Sequence, residues 1–263
     1  MEIEVDSQTV YINTGGMDWS DGQPWLCLVH GASLDHTVWV LYSRYFARNG
    51  YNVITPDLPG HGRSAGQVPD SIEAMGEWLA ALINKIGVNG KLVLAGHSMG
   101  SLVTLHAASL EKLAVERLIL LGTATPMPVG DALLDAAKDN DLASIDMVSI
   151  FGHALQSRLG GNPVAGINML QSGIKLMQQA RSGVMYHGLS ACNRYLNGHE
   201  DAARVSADTT LILGELDMMT HPAGAAELGR IMSANTVLLE RCGHMMLAEQ
   251  PEQTLQAILG ALN

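Results

Sequence analysis

Long apolar runs, paired cysteines and positive charge are all scarce in this chain, and each scarcity excludes something. No apolar run reaches the about 18 residues that a membrane-crossing helix needs, so no membrane span is expected. The three cysteines, Cys27, Cys192 and Cys242, are far apart and odd in number. That pattern predicts free thiols rather than a disulfide framework. Fifteen Lys and Arg stand against 26 Asp and Glu, a net charge of −11. Nucleic-acid binding needs clustered cations for phosphate and is not expected. Ten histidines are present, but none has metal-ligand spacing with Cys, Asp or Glu. The acidic, alternating start Met1-Glu2-Ile3-Glu4-Val5-Asp6 lacks the basic head and apolar core of a secretory signal. A cytoplasmic location is the expectation.

What the chain does have is aliphatic and small residues, enough at 263 residues for one domain with a large core and an insertion. Parallel strands covered on both faces read as near-continuous apolar runs. Such runs recur at 25–29, 52–55, 92–96, 117–121, 209–213 and 235–239. Two short strands, 2–5 and 9–13, precede them as an antiparallel edge. Helices are predicted at about 36–48, 71–86, 99–110, 222–232 and 246–261. Ser71 caps the second and Gly50 stops the first. The alternation predicts an α/β fold with a mostly parallel, helix-covered sheet. It stops between about Thr125 and Ser206, where the pattern is helical and irregular. That stretch is too long for a plain connection. The expected organisation is therefore a core of 1–124 and 207–263 with a helical cap at 125–206 after the sixth strand. Methionines within it, among them Met177 and Met185, can line an adaptable apolar pocket or fill the cap's own core.

The chain is organised around Gly96-His97-Ser98-Met99-Gly100, where a strand ends and a helix begins. Gly-x-Ser-x-Gly alone is weak evidence, because it also occurs as Gly62-Arg63-Ser64-Ala65-Gly66. Only Ser98 has the strand–turn–helix setting that holds a hydroxyl out at the carboxyl end of a strand. Ser64 reads as a loop serine. A serine hydroxyl needs a base, and the base needs an orienting group. His244 follows the strand 235–239, and Asp217 follows the strand 209–213. Both loops lie at the same sheet edge as Ser98, in the chain order Ser, Asp, His. His221 and His97 are the rival bases, and Glu215 and Asp57 the rival acids. His221 reads as a surface or capping residue, and His97 points away from the site if Ser98 points into it. Cys242 and Trp39 read as packing. The backbone N–H groups of Met99 and Ala32 are the expected donors to a developing oxyanion.

These motifs, with His30-Gly31 and Pro56-Asp57-Leu58-Pro59-Gly60-His61-Gly62-Arg63-Ser64, make the chain resemble an α/β-hydrolase fold protein. It is most similar to the small capped members: carboxylesterases, enol-lactonases and carbon–carbon bond hydrolases. Ser101 departs from the family pattern, in which a second glycine often follows the elbow. The resemblance implies a serine hydrolase acting on carboxylic esters through an acyl-enzyme, with no metal and no organic cofactor. It leaves lactones, amides and carbon–carbon bonds open, as well as acyl transfer and a non-catalytic binding protein on the same fold. Serine at position 98 argues against the aspartate-nucleophile dehalogenases and epoxide hydrolases. The partner expected is a small-molecule ester or related acyl substrate, with no nucleic acid and no membrane. A homodimer is the one protein partner considered.

Overall fold

Strand-length runs of Val, Ile and Leu can bury both faces only in the middle of a covered sheet, and three strands here do so along their whole length. These are β3 (Trp25–Val29), β4 (Asn52–Pro56) and β5 (Leu92–His97). With β1 (Glu2–Val5), β2 (Gln8–Asn13), β6 (Val115–Leu121), β7 (Asp208–Gly214) and β8 (Asn235–Leu239), they form one sheet in the computed structural model. Its order is β1-β2-β4-β3-β5-β6-β7-β8. The pairs β1–β2 and β2–β4 are antiparallel and all others are parallel. The structure describes residues 1–161, 164, 166 and 168–263, and four residues of the predicted cap lie outside it.

The period-two pleat divides the core. Trp25, Cys27, Val29, Leu92, Leu94, Leu118 and Leu120 face one way, onto α2 (Ile72–Ile86) and α3 (Met99–Ser109). Leu26, Leu28, Val93, Ala95, Ile119 and Leu121 face the other, onto α1 (Val40–Arg48) and the carboxyl-terminal helices. Ser71 caps α2 by accepting the Ala74 N–H at 3.1 Å, and Gly87 ends it with a left-handed φ of 78°. All three cysteines are buried and unpaired.

Between β6 and β7 run α4 (Asp131–Lys138), α5 (Leu142–Gly152), α6 (Leu155–Arg158), α7 (Met169–Gln179), α8 (Val184–Arg194) and α9 (Gly198–Arg204). Ile145 and Val148 of α5 and Met177 of α7, with Leu133 of α4 and Met185 of α8 beside them, meet Leu34, Met219 and Met245 in a separate cluster. This packing sets the helical insertion against loops at the carboxyl ends of the parallel strands.

Three predicted helices are interrupted. The first begins as a 3₁₀ turn at His36–Trp39, where Asp35 accepts the Thr37 N–H. The second does so at Pro222–Ala225, before α10 (Ala226–Ile231). The last splits into α11 (Met246–Glu249) and α12 (Pro251–Leu262). Pro251 disfavours helical ψ at the residue before it, and Gln250 sits at ψ 59°.

Candidate active site

The turn from β5 into α3 is drawn so tight that neither flanking glycine has room for a side chain. A Cβ on Gly96 would stand 2.1 Å from the Gly100 carbonyl oxygen, and one on Gly100 only 2.4 Å from that of Val29. Between them Ser98 takes φ 55° and ψ −123°, a conformation that costs a non-glycine residue about 1–3 kcal/mol. The surroundings hold it there: the Ser98 N–H donates to the Leu121 carbonyl at 2.9 Å, and the Ser101 hydroxyl donates to the Ser98 carbonyl at 2.6 Å. Ser101 Oγ in turn accepts from the Thr123 hydroxyl at 2.9 Å. The departure from the family glycine thus ties the elbow to the end of β6.

The structure brings three predicted residues into one hydrogen-bonded chain. Ser98 Oγ donates to His244 Nε2 at 2.9 Å, and His244 Nδ1–H donates to Asp217 Oδ2 at 2.8 Å. Ser98 remains partly exposed, while His244 and Asp217 are each 1% exposed. The base loop is pressed from two sides. A Cβ on Gly214 would lie 2.3 Å from the Gly243 carbonyl, and one on Gly243 would lie 2.6 Å from the Ala154 nitrogen. Glu249 accepts the Ala154 N–H at 2.8 Å on the same side.

Asp217 has more donors than its partnership with His244 requires. Met219 N–H and Thr220 N–H both donate to Oδ1 at 2.8 Å, and the Thr220 hydroxyl donates to Oδ2 at 2.7 Å. Burial alone would raise its pKa, but the His244 charge and bond, with those from Thr220, outweigh burial and hold the carboxyl below the usual carboxylate range. Thr220 Oγ1 also stands 3.0 Å from His244 Nδ1. Thr220 did not stand out in the sequence. The only signal for it was a hydroxyl residue three positions after an aspartate, a common local turn pattern.

The rivals are occupied elsewhere. Glu215 accepts the Arg241 N–H at 2.8 Å, and His221 accepts the Ala223 N–H at 3.2 Å as a helix cap. His97 turns behind the elbow and donates from Nε2 to the His244 carbonyl at 2.8 Å. Burial, with the nearby His244, lowers its pKa to about 3, so it stays neutral. Ser64 donates to the Asp57 carbonyl at 2.7 Å and accepts the Tyr11 N–H at 2.9 Å. Trp39 and Cys242 are buried in the core.

Among the described residues, one group could present metal ligands: Asp35, His36 and Asp57. Asp57 already accepts the His36 N–H and His36 Nδ1–H at Oδ1 and the Arg63 N–H at Oδ2. A Cβ on Gly62 would lie 2.4 Å from that second oxygen. The group is an internal pin for the loop after β4, with no oxygen of Asp57 left open.

The loop after β3 lies against the nucleophile. A Cβ on Gly31 would be 3.2 Å from Ser98 Cβ. His30 fixes this loop: Nδ1–H donates to the Gly31 carbonyl at 2.8 Å and Nε2 accepts the Leu58 N–H at 3.1 Å. Burial lowers the His30 pKa, which suits this neutral tautomer. Ala32 and Ser98 line the same small space. The side chains of Ala32 and Met99 both meet α8, 3.0 and 3.1 Å from where a Gly188 Cβ would be.

A model of the alpha/beta hydrolase family matches residues 28–257. Among curated proteins, a pimeloyl-[acyl-carrier protein] methyl ester esterase of Aromatoleum aromaticum is 29% identical over 88% of this chain and 94% of its own. An (E)-2-((N-methylformamido)methylene)succinate hydrolase of Acinetobacter baylyi is 34% identical, but over only 38% of each chain. Among solved structures, the enol-lactonase of Burkholderia xenovorans superposes with a TM-score of 0.85 at 18% identity, covering 100% of this chain and 99% of its own. A thermophilic esterase of Thermogutta terrifontis gives a TM-score of 0.80 at 23% identity, covering 97% and 93%.

Proposed function

The chain belongs to the alpha/beta hydrolase family, and from that premise we propose that it is a serine hydrolase cleaving small to medium carboxylic esters through an acyl-enzyme. One observation carries this reading: the unbroken hydrogen-bond relay from Ser98 Oγ through His244 to Asp217. Its likeness to a methyl ester esterase over nearly its whole length supports the choice of ester.

The steps follow from the relay. Ser98 Oγ attacks the acyl carbon while its proton passes to His244 Nε2. Asp217, kept ionised by its donors, stabilises the imidazolium and holds Nδ1 as the donor. The tetrahedral oxyanion is met by the N–H groups of Ala32 and Met99, each worth about 3 kcal/mol of barrier in comparable sites. Collapse breaks the ester C–O bond, and His244 returns the proton to the leaving alcohol oxygen. Water then gives a proton to His244 as its oxygen attacks the acyl-enzyme; collapse breaks the acyl C–Oγ bond, His244 returns the proton to Ser98 Oγ, and the acid is released.

Hydrolysis of 4-nitrophenyl acetate tests the reading. Ser98→Ala is expected to lower kcat at least about a thousandfold with the fold intact by circular dichroism. Turnover near that of the unaltered protein in Ser98→Ala would overturn it.

A further inference from the structure

We propose that an apolar compartment between α7 and the segment 37–41 receives the alkyl chain of the ester's acyl group, so that the preferred substrates are medium-chain acyl esters. The inference rests on the serine-hydrolase reading and adds a substrate class to it. The space at Ser98 itself is only about 20 Å³, bounded by Ala32, Met185 and Met219 among others. That is room for about one water molecule and no acyl chain. Beside it lies a cavity of about 440 Å³, within the range of small-molecule sites. The two share Leu34, His97, Met177 and Met245 as walls, so a partition one side chain thick divides them.

The larger space is a groove open to solvent on one side and lined chiefly by aliphatic side chains, including Val38, Leu176, Leu247 and the exposed Leu41. Its lysine, Lys175, is exposed and donates to Gln178 at 3.2 Å. Such a lining offers little to a charged or hydroxylated chain and much to methylenes. Two of the partition residues are methionines, unbranched and able to change rotamer at little cost. Movement of Met177 or Met245 joins the compartment to the nucleophile. Leu34 follows Ala32 by two residues and lines both spaces. Leu34 is thus the side chain against which the alkyl chain of a carbonyl held at Ala32 would enter the compartment.

Gly173 of α7 supplies the test, because it lines the compartment and a Cβ there would meet nothing within 4 Å. In the unaltered protein, kcat/KM for 4-nitrophenyl esters is expected to rise about two- to fourfold per methylene from acetate to octanoate. Gly173→Phe is expected to lower the octanoate-to-acetate ratio at least about tenfold, the effect of losing two buried methylenes. Alkylboronic acids from methyl to octyl, which form a reversible adduct with a nucleophilic serine, should tighten by the same factor per carbon. They provide the same reading in the unaltered protein should Gly173→Phe fail to fold. No acetate turnover and no boronate inhibition in the unaltered protein would remove the serine-hydrolase reading itself. Acetate turnover with flat octanoate and boronate series, or with a ratio untouched by Gly173→Phe, would refute the compartment alone. Acetate esters of lengthening alcohols that respond to Gly173→Phe where the acyl series does not would overturn the acyl assignment.

Discussion

Asp217 is the residue whose surroundings say most about the proposed chemistry. A carboxylate wanted only for packing would not gather two backbone N–H groups, a threonine hydroxyl and an imidazole in a buried pocket. Asp217→Asn is expected to leave the fold intact and lower kcat by about 10⁴, as the amide offers the wrong hydrogen-bonding partner to Nδ1. Thr220→Val removes one charge-assisted bond and should lower kcat about tenfold with KM unchanged. Steady-state kinetics of both variants check this, and an inert Thr220→Val would deny Thr220 a positioning role. Ser98, Asp217 and His244 were legible because each follows a strand whose apolar run is easily read. Thr220 and Glu249 were not, because their value comes from neighbours distant in sequence: His244 for one, Ala154 for the other.

At the scale of elements, the elbow joining β5 to α3 depends on absent atoms. Gly100→Ala would drive a methyl into the carbonyl oxygens of Val29 and His30, at 2.4 and 2.6 Å. Neither oxygen can move without disturbing β3, so a loss of about 3 kcal/mol or more in urea unfolding is expected. A variant of ordinary stability would contradict the packing described. The six parallel strands were readable from their apolar runs, unbroken and buried on both faces in β3, β4 and β5, and β1–β2 because alternation marks a half-exposed edge. Helix interruptions were harder to see. The break at Gln250 follows from Pro251, yet the apolar spacing runs on through it. The 3₁₀ openings at 36–39 and 222–225 share the helical pattern that follows them and leave no separate mark.

Across the whole molecule, several histidines are buried in neutral form. Burial lowers His61 and His97 to about 3, and it also lowers His30 and His153. In the unfolded chain each would take a proton below about 6.5. The unfolded state then binds more protons than the native one, and stability must fall as pH falls. The window runs from about 6.5 down to 3, with each of His61 and His97 contributing a slope of about 1.4 kcal/mol per pH unit within it. Asp217, with its carboxyl held low, gives stability that is present above the ordinary carboxylate pKa and lost only at lower pH. Urea midpoints should therefore drop steeply between pH 6.5 and 4.5, before carboxylates contribute. A flat profile over that range would contradict the neutral buried histidines. The insertion was legible only as a gap in the alternation, since the packing of α5 and α7 on loops from three strands depends on contacts no local pattern encodes.

The central claim is that the hydroxyl at position 98 becomes covalently acylated. Peptide mapping after treatment with a fluorophosphonate tests it most directly. One label is predicted on the tryptic peptide Leu92–Lys112, at Ser98, and none on the Ser98→Ala protein. A label elsewhere, or one that persists in that variant, would contradict the account.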